Sequence, residues 1–287
     1  MSARHALRPP RTLIVTDTPA LRRLPVLPPE YRVRSVEGWG ELAAAMDQAT
    51  PASSVIADPY LGRRTAQGPA PELERLILRR PSVPVVAAMP LRDELAGDVA
   101  TLLEWKVSDV LNLNVQRSPH AVRECLRGVR ARPLKREVEP LLTGFASENA
   151  RSVVRAACEV AVEGGAAPEL AAIFQVDPRT VTAWCRREGL PPPRRLLAWT
   201  RVLLAAMMLK EEGRSVVNVA RGAGYATDHA LRRAMRDLVR GDPASMGRAD
   251  LFAQAVTRFH DEVLALRDRV RERRRDTRTG RSHPPYG

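Results

Sequence analysis

The chain has 287 residues, 44% of them apolar, which is enough to bury a core in each of two ordinary domains and excludes disorder throughout. Its 46 Lys and Arg against 33 Asp and Glu leave a formal charge of +13, which favours a polyanionic partner, nucleic acid ahead of an anionic membrane surface. No apolar run approaches the roughly 20 residues of a bilayer span, and the apolar stretch in MSARHALRPPRTLIV is too short for a secretion signal, so a soluble, unprocessed protein is expected.

From Arg11 onward, short β-branched runs alternate with amphipathic stretches. The runs TLIV (12–15), YRVRSV (31–36), SSVIA (53–57), VPVVAAM (83–89) and SDVLNL (108–113) predict five strands. Between or after them lie helical patterns at 39–49, 71–80, 92–106 and 118–130. Strands separated by helices of this length predict a parallel sheet covered on both faces, a doubly wound α/β domain over 1–130. The first crossover, TPALRRLPVLPPE, carries four prolines and can support little helix.

In such a sheet the chemistry sits at the carboxyl ends of the strands, here Asp17, Asp58, Met89 and Leu113. The order of elements, with an acidic residue ending the first and third strands, resembles the receiver domain of bacterial response regulators, a flavodoxin-like fold. That resemblance puts Asp58 of VIADPYLG at the phosphoacceptor position and Asp17 at one magnesium position. The pattern is degenerate. Thr16 replaces the second acidic residue, Ala88 or Met89 stands where a hydroxyl belongs, and VLNLN offers no lysine. Without a lysine or a full cation site the charge of an aspartyl phosphate is uncompensated. Asp58 thus has two readings, a possible phosphoacceptor or a strand-end carboxylate capping a loop beside Pro59.

Residues 131–146 contain two prolines and a glycine and read as a linker or short connecting helix. Next, SENARSVVRAACEVAVEGG (147–165) is an amphipathic helix, with Ser147 as N-cap and Gly164-Gly165 as its stop. PELAAIFQVDPRTVTAWCRREGL then splits at Val176-Asp177-Pro178. Leu170, Ala171 and Phe174 form one short buried face, Asp177 caps a second helix that starts at Pro178, and Gly189 ends it. Two short helices at a tight turn make a helix-turn-helix candidate. A long helix at 194–213 follows. The design then repeats in SVVNVARGAGYATDHALRRAMRDLVRG, with Val216, Val219 and Ala220 apolar, a turn at Gly222 to Gly224, and a cap from Thr227 or Asp228.

Two such units joined by one helix, with ARGAGY, Tyr225 and Pro243 in place and Met246 where an aromatic is usual, resemble the DNA-binding domain of AraC-type transcription regulators over 147–248. The resemblance implies an all-α double helix-turn-helix whose two recognition helices enter successive major grooves about 34 Å apart on double-stranded DNA. By position in the motif, Arg179, Thr182 and Ala183 of the first recognition helix face base edges, as do Asp228, His229, Arg232 and Arg233 of the second. Ala183 departs from a usual long polar residue and is limited to a thymine methyl contact. Arg232 and Arg233 are the leading readers, because Arg bonds guanine bidentately; their alternative is phosphate contact or a solvated face. Arg186, Arg187, Arg194, Arg195 and Arg236 are assigned to phosphate. Trp184, Trp199, Leu203, Val219, Leu231, Met235 and Leu238 are expected in the core.

Residues 249–276 carry apolar spacing through Leu251, Ala255, Phe259, Val263, Leu266 and Val270, an amphipathic helix able to pack on the domain or pair with another chain. Residues 277–287 are expected to be disordered. The cysteines, Cys125, Cys158 and Cys185, are odd in number and widely spaced, which fits a reducing cytoplasm rather than metal sites or disulfides. The expected protein is a cytoplasmic, sequence-specific DNA-binding transcription regulator, not an enzyme, with no cofactor or metal. Its pseudo-receiver would serve dimerisation or partner binding. The alternatives are a phosphorylation-responsive regulator using Asp58, or a DNA-binding architectural or interaction protein.

Overall fold

The computed structural model describes residues 11–24, 27, 29–50, 53–116, 118–143, 146–241 and 247–279. Each of the five β-branched runs forms a strand: β1 (Thr12–Thr16), β2 (Arg32–Val36), β3 (Ser54–Ala57), β4 (Val85–Met89) and β5 (Asp109–Asn112). They pair in parallel, in the order β2-β1-β3-β4-β5. Strands β3 and β4 are buried along their whole length, because their place inside the sheet covers both faces. At the edge, β2 exposes Arg32 through Ser35, and charged side chains there oppose pairing with another sheet.

Helices α1 (Trp39–Gln48), α2 (Pro71–Arg79) and α3 (Ala96–Glu104) cover one face, where Leu42, Met46, Leu73, Ile77 and Leu102 pack on Ile14, Val55, Ala57 and Val85. Helix α4 (Pro119–Val129) covers the other face through Val122, Leu126 and Val129 against Leu13, Ile56, Val86 and Leu111. The first crossover contributes a single 3-10 turn at Leu21–Arg23, as its prolines dictate, and Leu21 and Tyr31 fill the gap that a full helix would have covered.

Among the described residues after 130, the secondary structure is helical. Residues 131–142 do not span solvent as a linker. They form α5 (Arg132–Val138) and a 3-10 turn whose Leu134, Val138 and Leu142, four residues apart, join the helical core. Then follow α6 (Glu148–Val162), α7 (Ala167–Ile173), α8 (Pro178–Glu188), α9 (Pro193–Lys210), α10 (Val216–Gly222), α11 (Asp228–Leu238) and α12 (Arg248–Thr279). Helix α9 is apolar nearly all round and is the axis on which the others pack; Trp199, Val202, Leu203, Ala206 and Met208 are each at most 1% exposed. Along it lies α12, which buries Leu251, Ala255, Phe259 and Val263 and runs to Thr279, three residues past the expected 276. Pro243, Met246 and the tail 280–287 lie outside the described residues.

Besides Arg132 and Arg136 of α5, which bind Asp109 and the Lys106 carbonyl, two polar junctions tie the helical region to the sheet domain. At one, the C-terminal end of α6 presents Glu163 to Arg11 and Arg130, and Arg130 lies over the Tyr31 ring at 5.9 Å. At the other, the turn after α9 is held by Arg80, which donates to Asp47 Oδ1 (2.8 Å) and to the Glu212 carbonyl (2.6 Å).

Candidate nucleic-acid interface

Helix α8 starts where its sequence says it should. The Asp177 carboxylate accepts the Arg179 N–H at 2.7 Å, Pro178 occupies the first turn where no N–H is needed, and Gly189 stops the helix in the left-handed region at φ 69°. In the preceding helix Leu170 and Ala171 are buried, and Phe174 meets the half-buried Trp184 edge-on at 5.4 Å, which fixes the angle between α7 and α8. The outward face of α8 then carries Arg179, Thr182, Ala183, Arg186 and Arg187, all exposed. The Thr182 hydroxyl donates to the Pro178 carbonyl at 3.0 Å, so part of its bonding capacity is turned back on its own helix. Between α7, α8 and the start of α9 lies a cavity of about 300 Å³, with Thr182 and Arg194 on its wall.

The second pair repeats this construction with different caps. Ser215 caps α10 by accepting from Asn218 N–H (3.2 Å), and Thr227, rather than Asp228, caps α11 by accepting from Ala230 N–H (3.1 Å). Gly222 belongs to α10, and the turn begins at Ala223. The left-handed residue is Gly224 at φ 78°, where a Cβ would stand 3.3 Å from the Gly164 Cα. Tyr225 packs its ring into the core, and burial pushes its phenol up to about 12.

On α11, His229, Arg233 and Arg236 are exposed on the side opposite the buried Leu231, Met235 and Leu238, and Asp228 and Arg232 are half-buried at the flank of that apolar face. Asp228 and Arg232 are paired at 3.6 Å, one turn apart, and Arg233 and Asp237 at 3.9 Å. Arg232 is the more confined of the two arginines, with 29% of its side chain exposed against 77% for Arg233. An arginine braced by a neighbouring carboxylate presents its guanidinium edge in a fixed direction, which suits bidentate recognition.

Among the phosphate candidates, Arg186 and Arg194 are exposed, and Arg187 pairs with Glu188 at 3.1 Å. Arg195, half exposed, also has a carboxylate partner. Its Nη2 donates to Glu262 Oε2 at 2.7 Å and its Nε to the other oxygen, while the Trp199 indole donates to the same carboxylate at 2.9 Å. This carboxylate, beside the buried Val263, pins α12 to α9. Sequence reading missed it, although an acid set against an apolar stripe is a signal that it has a buried partner. Cys158 and Cys185 lie in the helical core, and burial raises both thiols to about 12.

At the carboxyl ends of the strands the two aspartates are separately engaged. The Asp58 N–H donates to the Thr16 hydroxyl (2.9 Å), and its carboxylate accepts the Tyr60 N–H (2.9 Å), a loop-capping arrangement. Asp17 is gripped by Arg22, Nε to Oδ1 at 2.6 Å and Nη2 to Oδ2 at 3.0 Å, and this partner holds its carboxyl below the usual range. Met89 is buried and Leu113 packs against the sheet. Thr18, Asp58, Arg63 and Arg64 line an open cavity of about 750 Å³. No family model matches the chain, and neither does any curated protein or solved structure.

Proposed function

We infer that the chain is a sequence-specific DNA-binding transcription regulator of the AraC type. In this reading α7–α8 and α10–α11 are two helix-turn-helix units, and α8 and α11 are their recognition helices. The observation that carries the reading is the repeat. Two capped helix pairs stand on the single helix α9, each with its apolar side buried and an arginine-bearing side turned outward. With 18 residues, α9 is about 27 Å long, of the order of the spacing between successive major grooves. Arg232 and Arg233 then read guanine, with Asp228 orienting Arg232, while Arg179, Thr182, Ala183 and His229 meet neighbouring base edges. Arg186, Arg187, Arg194, Arg195 and Arg236 grip phosphate, and Arg195 also holds α12 in place through Glu262.

The sheet domain is read as a pseudo-receiver that mediates dimerisation or partner binding in the cytoplasm. The strand order 2-1-3-4-5 supports the flavodoxin-like assignment. The Arg22 guanidinium on Asp17 supports the loss of phosphotransfer, because its charge and its bonds to both carboxylate oxygens compete with a magnesium ion there. Selection of preferred sites from a random duplex pool by the full-length protein at physiological salt tests the function. A motif spanning two adjacent turns is expected, and a doubled motif would make the sheet domain a dimeriser. The absence of any enriched motif would replace this reading with an architectural one.

A further inference from the structure

Helix α12 is longer than its packing requires. Its apolar stripe, Leu251, Ala255, Phe259 and Val263, is at most 1% exposed and lies against the helical core. Leu266 and Val270 are only half-buried, and from Arg271 to Thr279 there is no apolar residue. The helix nevertheless continues through these residues, and Arg271 to Asp276 are all exposed. A seam for a second helix or an insertion into a bilayer needs apolar side chains at helical spacing, and this segment has none. Whatever it meets is recognised by charge.

Part of the charge falls into rows, although Arg269 and Arg273 lie beyond the acidic set, on the side away from Arg267. At about 100° per residue, Arg267, Arg271 and Arg274 fall within about 60° of one another, and Asp268, Glu272 and Asp276 within about 80°, with the two sets centred roughly 130° apart. Two contacts fix which way the basic side is turned. The backbone and side chain of Arg267 lie against Gly189, the residue that ends α8. Arg274 donates to the Arg187 carbonyl at 3.1 Å, in the last turn of α8. Arg186 and Arg187 end the exposed face of α8 that begins with Arg179. The basic side of α12 therefore continues, past the last turn of α8, the row of side chains assigned above to DNA.

We propose that the distal part of α12 is a second phosphate-binding element, in which Arg271 and Arg274, flanked by Arg275, grip the backbone of duplex DNA just outside the site read by α8. This rests on the DNA-binding reading and extends its surface. Charge complementarity selects the occupant: a polyanion with regularly spaced charges suits a basic row with no apolar component, and guanidinium groups bind phosphate in bidentate fashion. The acidic face, turned elsewhere, keeps the isolated helix from repelling itself; Asp268 lies 3.7 Å from Arg271. The contact adds affinity and footprint without adding sequence preference.

The test compares the full-length protein with its Arg271→Gln/Arg274→Gln/Arg275→Gln variant on a duplex of about 40 base pairs carrying the selected site. These residues are outside the core, so folding is retained, and circular dichroism checks it. Each lost phosphate contact lowers the slope of log affinity against log salt by about 0.9, so a slope shallower by about 2 to 3 and an affinity roughly tenfold weaker at 0.15 M salt are expected. The preferred motif should be unchanged, hydroxyl-radical protection beyond the α8 end should disappear, and the corresponding Lys variant should restore the slope. Unchanged slope and footprint, with wild type still bound to its motif, would overturn this proposal alone. Failure of the wild-type protein to retain any duplex would overturn the DNA-binding reading as well. Polyglutamate serves as a second probe. Loss of its binding in the Gln variant, with DNA binding intact, would assign the basic side to an acidic protein and overturn the proposal.

Discussion

Glu211, at the end of α9, accepts the backbone N–H of Ser82, in the loop after α2, at 2.8 Å, and so joins the helical region to the sheet domain through a carboxylate that is only 3% exposed. Its other oxygen accepts Arg214 Nε at 2.9 Å, and Arg214, 5% exposed, reaches on to the carbonyls of Asp47 and Ala49 at the end of α1. From the opposite side Arg80 binds Asp47 and the Glu212 carbonyl. The turn that leads into α10 is thus clamped by buried charges of both regions.

Removing one member leaves the others buried and uncompensated. Arg214→Ala is expected to destabilise the protein by about 3–5 kcal/mol, more than removal of a surface ion pair such as Arg75 with Glu72. Urea unfolding measures this. A double-mutant cycle with Glu211→Gln should show strong coupling; additive effects would mean that the two side chains act independently.

Arg232→Ala should cut discrimination at one or two base positions by about 1–3 kcal/mol, because a bidentate reader is lost. Arg186→Ala should weaken binding to all sequences alike and lower the salt slope by about 0.9. Competition binding over a panel of single-base site variants separates them. Identical behaviour of both variants would remove base readout from α11.

Acetyl phosphate with magnesium should leave the protein unlabelled, since Asp17 is held by Arg22 and the fifth strand end supplies no lysine to offset the new charge. Asp58→Asn should accordingly leave DNA affinity unchanged. Phosphate-affinity gel electrophoresis decides the matter: a shifted band that Asp58→Asn abolishes would restore the response-regulator reading.

The three thiols should differ in alkylation. Cys125 is half-buried, with its thiol raised to about 11 by burial, whereas the fully buried Cys158 and Cys185 stand at about 12. Native protein at pH 8 should therefore react slowly, at Cys125 first, and all three should react quickly only in denaturant. Raising the pH towards 10 should accelerate Cys125 as its thiolate fraction grows. Mass spectrometry of iodoacetamide-treated protein reads this directly, and early modification of Cys185 would mean that α8 opens readily from the core.

What the sequence determined by itself was local. β-Branched runs separated by helical patterns specify five parallel strands and their crossovers, because burial on both faces demands continuous apolar runs. Asp177, Pro178, Gly189, Ser147 and Thr227 mark helix ends because capping chemistry acts over three or four residues of chain. The apolar faces of α8 and α11 follow from helical period, and with them the outward positions of the arginines. The tertiary structure alone decided the long-range partners. That Arg195 has a carboxylate partner shows only once Glu262, 67 residues away, is brought beside it. Residues 131–146 read as a linker or a short connecting helix, and only the helical core supplies the surface on which Leu134, Val138 and Leu142 pack. Glu211 and Arg214 are desolvated only because the end of α1 and the loop after α2 close over them. Caps and periodicity are set by neighbours along the chain, whereas the partner of a charge depends on which distant surface desolvates it, and that is settled only when the elements pack.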